Sequence, residues 1–303
     1  MKYLIITTLL CISMLSNAQM LNDSPFNANV AHPRYNKEKG PKILMDAGHH
    51  NFIVEMGLIK PLKDVLESDG YKTKIDSSIF TNSYLANYDI LVIMPAMPFK
   101  YGSKKQVDDE ITFTEEELNA LHNWVVEGGS LLMFSEHAPI DKAAVPLFNK
   151  FGIQTSIGIV VDSINCDSTI KIPVYQALIK YNNKNGLLNS KHPITMGSNK
   201  NEIIHNLISY GGSGLQGSGY TNILKLAPSA NINKYNGSMP SGIVNSQCLA
   251  GKVGKGKVVA LGDCNGFTAM YININKQKFK AGMHVQEYDW KQFVLNTFHW
   301  LSK

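Results

Sequence analysis

The chain has 303 residues, 44% of them hydrophobic and 17% charged, so it carries enough apolar mass for a packed core and too little charge for a disordered or coiled-coil protein. Its net charge of +5 comes from 29 basic against 24 acidic residues, and Arg34 is the sole arginine. With a single guanidinium fork and no dense basic stripe, that balance gives a nucleic-acid partner little support, none is expected, and it reads as a solvated lysine surface. Residues 1 to 18 read as a signal peptide: Lys2 is the positive start, Tyr3 to Leu15 the apolar stretch, and Ser16-Asn17-Ala18 the small-residue cleavage site. The stretch is too short to span a bilayer comfortably, and nothing later reaches about 18 uninterrupted apolar residues. The expected mature product is periplasmic or secreted and has no membrane span.

Residues 19 to 41 are polar and without periodicity, which predicts a lead-in segment before a domain covering 42 to 303. Ile43-Leu44-Met45 reads as a first strand, discharging into Asp46-Ala47-Gly48-His49-His50-Asn51. Leu58, Leu62, Val65 and Leu66 recur at helical spacing until Asp69-Gly70 stops the helix. Tyr71 to Ile75 is a second strand, and Asp89 to Met94, apolar throughout after its aspartate, is a third of the kind covered on both faces.

Thr114 followed by Glu117 is a capping box that opens a helix faced by Leu118, Leu121, Trp124 and Val125 and closed by Gly128-Gly129. Ser130 to Phe134 is a fourth strand, ending in Ser135-Glu136-His137-Ala138-Pro139, and a helix is expected over 141 to 151. The stretch from 153 to 256 reads as a β-rich insertion or sheet extension with short runs at Ile157 to Val161, Ile170 to Val174 and Ile223 to Leu226. Within it, Gly211 to Gly219 reads as a flexible loop, since it matches neither a dinucleotide nor a P-loop fingerprint. Lys257 to Leu261 is a last buried strand, and Trp290, Val294, Phe298 and Leu301 make a closing amphipathic helix. Strands and helices alternating with short connections predict an α/β fold with a mostly parallel, flavodoxin-like sheet.

In such sheets ligands sit outside the carboxyl ends of the strands, so the polar clusters there are the candidate site. They are Asp46 with His49, His50 and Asn51; Glu136 with His137; and Asp263 with Asn265. Carboxylates and imidazoles brought to one edge can divide acid and base work or hold a divalent metal. Asp46, His49, His50, Glu136, His137 and Asp263 are the candidate catalytic set, with Asn51 and Asn265 as ligand-binding residues. No nucleophile is evident, because Ser135 lacks the flanking glycines of a nucleophile elbow. Cys166, Cys248 and Cys264, the cysteines outside the leader, show no CxxC spacing and read as buried thiols.

The run Pro41 to Asn51 with Phe52 resembles the opening of an uncharacterised family of exported bacterial domains with the class I glutamine amidotransferase-like fold. Gly128 to Pro139 is similar to its second motif, with Glu136-His137 where an Asp-His pair is common. His192-Pro193-Ile194, Gly254 to Asp263 and Asn296 to Leu301 resemble its later motifs. Amidotransferases of this fold place a cysteine on the elbow that here is Ser135-Glu136, so the resemblance implies no glutamine hydrolysis. Relatives lacking that cysteine include the trehalose-utilisation-like group and domains attached to secreted glycoside hydrolases, which implies a carbohydrate-type ligand. Two functions stay open on this reading: acid/base or metal-assisted hydrolysis of a carbohydrate-derived substrate, with His137 or Glu136 as base and Asp46 orienting an imidazole, and a non-catalytic binding or scaffold domain.

Overall fold

The structure, a computed structural model, describes residues 19–302 except 24, 106, 108–109, 139, 173, 234–244 and 275–276. The expected leader, 1–18, lies outside the described residues. Strands β1 (Gln19–Asn22), β2 (Lys42–Asp46), β3 (Lys72–Asp76), β4 (Ile90–Ile93) and β5 (Ser130–Phe134) come first. Helices α1 (Phe52–Glu55), α2 (Lys60–Ser68), α3 (Asn82–Leu85), α4 (Glu115–Glu127) and α5 (Ile140–Lys150) are interspersed with them. Short strands follow: β6 (Ile153–Thr155), β7 (Ile159–Val161), β8 (Lys180–Asn182), β9 (Asn206–Ile208), β10 (Leu215–Gly217), β11 (Thr221–Lys225) and β12 (Asn231–Asn233). Strands β13 (Ser246–Val253), β14 (Gly256–Leu261), β15 (Ala269–Ile274) and β16 (Gln277–Gly282) complete the set, with helices α6 (Pro193–Met196) and α7 (Trp290–Leu301).

Among the described residues, nine strands form the main sheet in the order β3-β2-β4-β5-β14-β13-β10-β6, with β11 paired on β13. The run β3-β2-β4-β5-β14 is parallel throughout. Counted along the chain its order is 2-1-3-4-5, the doubly wound arrangement whose switch point falls between β2 and β4. Beyond β14 every ladder is antiparallel, so the sheet is mixed and the expectation of a mostly parallel one holds for half of it. The physical reason is the two-residue Gly254-Lys255 connection, which folds β14 back on β13 as a hairpin, with Gly254 at φ 59.

Alternation decides which layer covers which face. Ile43, Met45, Ile90, Val92, Leu132, Phe134, Val259 and Leu261 pack with Leu62, Val65 and Leu66 of α2 and Phe293, Val294 and Phe298 of α7. Leu44, Leu91, Ile93, Leu131, Met133, Val258 and Ala260 pack with Leu118, Leu121 and Val125 of α4 and Leu147 and Phe148 of α5. Burying each such side chain stabilises the fold by about 1.5–3 kcal/mol, which is why these strands read as unbroken apolar runs.

Three expectations need correction. The lead-in is structured: β1 pairs antiparallel with β15, which pairs with β16 in a separate three-stranded sheet. The run Ile170 to Val174 forms no strand among its described residues, and a 3-10 turn follows at Tyr175–Ala177. The segment read as flexible, Gly211 to Gly219, is buried over its first half and tied down. Gly212 and Gly214 carbonyls accept the Val160 and Ser156 amides, and the Ser213 amide donates to the Gly262 carbonyl at 2.8 Å.

Candidate functional site

The turn after β2 aims His49 onto the α4 side of the sheet. Its Nδ1 lies 3.0 and 3.1 Å from the two oxygens of Asp46, and its Nε2 lies 3.1 Å from Oε1 of Glu117. Glu117 is the residue that completes the α4 capping box with Thr114, so one carboxylate caps the helix and grips an imidazole 68 residues away. Phe80 and Phe113 cover the ring at centroid distances of 4.8 and 4.3 Å. Burial opposes charging His49, but the carboxylates of Asp46 and Glu117 outweigh it and raise its pKa above the ordinary 6.5. Burial likewise works to raise Glu117, and its hydrogen bond from the Thr114 amide together with the His49 charge holds it below the usual carboxylate range. The triad therefore sets an imidazole, its charged form favoured, between two carboxyl groups, with both ring nitrogens occupied.

The second cluster joins the ends of β5 and β14. Glu136 Oε1 accepts the His137 amide at 3.1 Å, while Oε2 accepts the Cys264 thiol at 3.1 Å and the Asn265 carboxamide at 3.3 Å. Asp263 Oδ1 accepts the amide and the carboxamide of Asn265 at 2.9 and 2.7 Å, and its Oδ2 accepts the Tyr210 amide at 2.5 Å. Burial, reinforced by the Glu136 charge, pushes Asp263 up to about 7. The same two causes hold the Cys264 thiol well above its ordinary 9.0. Glu136 and Asp263 are only 2% and 5% exposed, so these groups face protein and not solvent.

The remaining candidates are scattered. His50, at φ 39, turns outward and pairs with Glu55 at 2.9 Å, so it joins neither cluster. His137 is half-buried, with Nδ1 2.9 Å from the Ala138 carbonyl. Asn51 is fully buried and donates to the Met94 carbonyl at 2.8 Å, tying the turn after β2 to the end of β4. Ser135 is also fully buried; Ser213 donates to the Glu136 carbonyl, which leaves the Ser213 oxygen to accept from Ser135 at 3.1 Å.

Sequence reasoning missed Glu117 as a site residue, because the capping-box spacing accounts for it completely. It missed Tyr210 and Ser213, which reach the strand ends from a glycine-rich segment that carries no motif. Among the described residues no group of three or more His, Cys, Asp and Glu side chains is placed to hold a metal ion. The bonding explains it: the donors of Asp46, His49 and Glu117 are turned on one another.

No protein-family model and no curated protein matches the chain. Among solved structures it is similar to the mmIFT52 N-terminal domain, with a TM-score of 0.57 at 17% identity over 86% of this chain and 97% of that one. It is also similar to a ThuA-like protein from Parabacteroides merdae, with a TM-score of 0.47 at 12% identity over 88% of this chain and 91% of that one. A third likeness is to an exo-β-1,4-mannosidase from an Opitutaceae bacterium, with a TM-score of 0.39 at 11% identity over 74% of this chain and 31% of that one. At such identities likeness speaks to fold alone, and it is the first that supports the α/β architecture.

Proposed function

We propose that this chain is an exported, non-catalytic domain on a flavodoxin-like, amidotransferase-like core that binds a polar, saccharide-type ligand without cleaving it. One observation carries the reading: the acidic and imidazole groups at the strand ends are spent on bonds within the protein. A general acid or base must come within hydrogen-bond reach of its substrate, about 2.6–3.2 Å. Glu136 and Asp263 instead receive the Cys264, Asn265 and Tyr210 donors in a nearly closed interior, and His49 has no free nitrogen. Their work is to lock the strand-end loops together. Export rests on the leader-like residues 1 to 18, and the saccharide on the resemblance of the strand-end motifs.

A second reading has one observation in its favour. Asp263, held near 7 beside Glu136, makes a pair of carboxyls whose environments differ, the pattern of an acid and a base in glycoside hydrolysis. A panel of glycans and chromogenic glycosides offered to the protein and to Glu136→Gln separates the two. Binding without turnover by either protein supports the binding domain. Turnover lost in Glu136→Gln overturns it in favour of hydrolysis.

A further inference from the structure

The strand-end clusters are closed, but a cleft of about 450 Å³ opens elsewhere, between α7, the lead-in around residues 29–32 and the turn around residues 199–202. Its volume falls in the range of small-molecule sites. Its carboxylates are already committed. Asp69, fully buried, accepts the Arg34 amide and His299 Nε2, each at 2.6 Å. Glu202 accepts the Ser198 amide at 2.6 Å and the Asn199 carboxamide at 2.7 Å.

The uncommitted groups are mostly neutral. The carboxamides of Asn29 and Asn201 make no hydrogen bond among the described residues, and both residues line the cleft. Gln292 gives Nε2 to Asn296 at 2.9 Å, and its oxygen takes no hydrogen bond among the described residues. Lys291 donates to the Asn27 and Asn29 carbonyls at 2.9 and 2.7 Å, which leaves one N–H of its three. Val30 and Leu295 add apolar wall. A phosphate or sulfate would call for several cationic or amide donors converging on one point. Paired donors and acceptors spread over a partly apolar wall suit adjacent hydroxyls on a ring with a C–H face.

We infer that this cleft is the ligand site and takes a neutral mono- or disaccharide. The inference rests on the binding reading above and locates it away from the strand ends. The experiment titrates the protein with D-glucose, D-galactose, D-mannose, cellobiose and lactose while following backbone amide resonances. Two variants accompany it: Asn29→Ala/Asn201→Ala, which removes carboxamides that the fold does not use, and Asn201→Trp, which fills the cleft from an exposed position. The expected result is a saturable shift of amides in 29–32, 199–202 and 291–299 for at least one sugar. Its Kd weakens roughly 3- to 10-fold in the double alanine variant, the worth of one or two net hydrogen bonds, and binding is lost in Asn201→Trp. Sugar binding that Asn201→Trp leaves unchanged overturns the cleft and keeps the binding reading. No saturable shift with any of the five sugars, repeated on a broad glycan panel, overturns both.

Discussion

Glu136 and Asp263 share a donor: the Asn265 carboxamide lies 3.3 Å from Oε2 of the one and 2.7 Å from Oδ1 of the other. The donor holds two buried carboxyls close to each other, so ionising both is costly, and Asp263 is the one pushed up to about 7 from 3.8. Between those values the folded protein keeps a proton that the unfolded chain has lost. Stability therefore falls as pH rises from about 4 to about 7, with a slope of at most about 1.4 kcal/mol per pH unit. Urea midpoints measured between pH 4.5 and 7 check it. In Asp263→Asn that slope flattens to what buried Asp141, also raised, still contributes, at a cost of about 1–3 kcal/mol because the new amide faces the Tyr210 or Asn265 N–H. A wild-type stability that rises over the window would sink the assignment.

His49 and His50 are neighbours with opposite fates, and substitution should tell them apart. Replacing His49 by Gln strands Asp46 and Glu117 as buried carboxylates without their cation, a loss of roughly 3–5 kcal/mol. Replacing the outward-facing His50 by Asn, which tolerates its positive φ, costs no more than about 0.5 kcal/mol. The pH signature follows from the raised pKa of His49. Its contribution is complete below 6.5 and fades as pH climbs through the higher folded value, so wild-type protein keeps losing stability on the alkaline side and His49→Gln does not. Denaturation of the two variants at pH 6 and pH 8.5 is the measurement.

These pairs show where the sequence is readable. The Thr114–Glu117 box is local, three residues apart, and its spacing alone predicts the cap; the bond from Glu117 to His49 spans 68 residues and has no spacing to betray it. The strand ends at Asp46, Glu136 and Asp263 are legible because the three parallel strands before them are apolar runs that stop abruptly. Which of two adjacent histidines faces inward depends on one backbone angle, the φ of 39 at His50, which no composition encodes. Strand β13 did carry a signal, the Gly254-Lys255 turn between two apolar runs, and reading it would have corrected the sheet to a mixed one. Strand β1 carried none, since Gln19 pairs with Asn273 at the far end of the chain.

Backbone contact between the glycine-rich segment and the end of β14 leaves no room for side chains. A Cβ on Gly212 would lie 1.9 Å from the Gly262 carbonyl oxygen, and one on Gly262 would lie 1.9 Å from that of Ser213. Neither neighbour can yield, because Ser213 and Gly262 are hydrogen-bonded to each other at 2.8 Å. Alanine at either position should cost roughly 3 kcal/mol or more. Gly219→Ala meets no atom within 4 Å and pays only for its φ of 84, about 1–2 kcal/mol. Thermal melts of the three variants rank them, and a mild Gly262→Ala would mean that the two segments can separate.

The thiols offer a test that needs no substitution. Cys264 is fully buried with its sulfur 3.1 Å from Glu136 Oε2, and burial together with that carboxylate keeps it protonated far into the alkaline range. Cys248 is fully buried and pushed up by burial alone, and Cys166 is buried as well. Since only the thiolate attacks a disulfide reagent, labelling of Cys264 at pH 8 requires the strand-end cluster to open, and labelling of Cys166 or Cys248 requires their own surroundings to open. Native protein should give no fast reaction at any of the three, and all three should react at once in concentrated urea. Labelling that accelerates on adding a bound saccharide would show the cluster opening with the ligand, while one fast equivalent in the native state, mapped to Cys264, would show that Glu136 and its partners are already exposed and would return them to the list of groups able to meet a substrate.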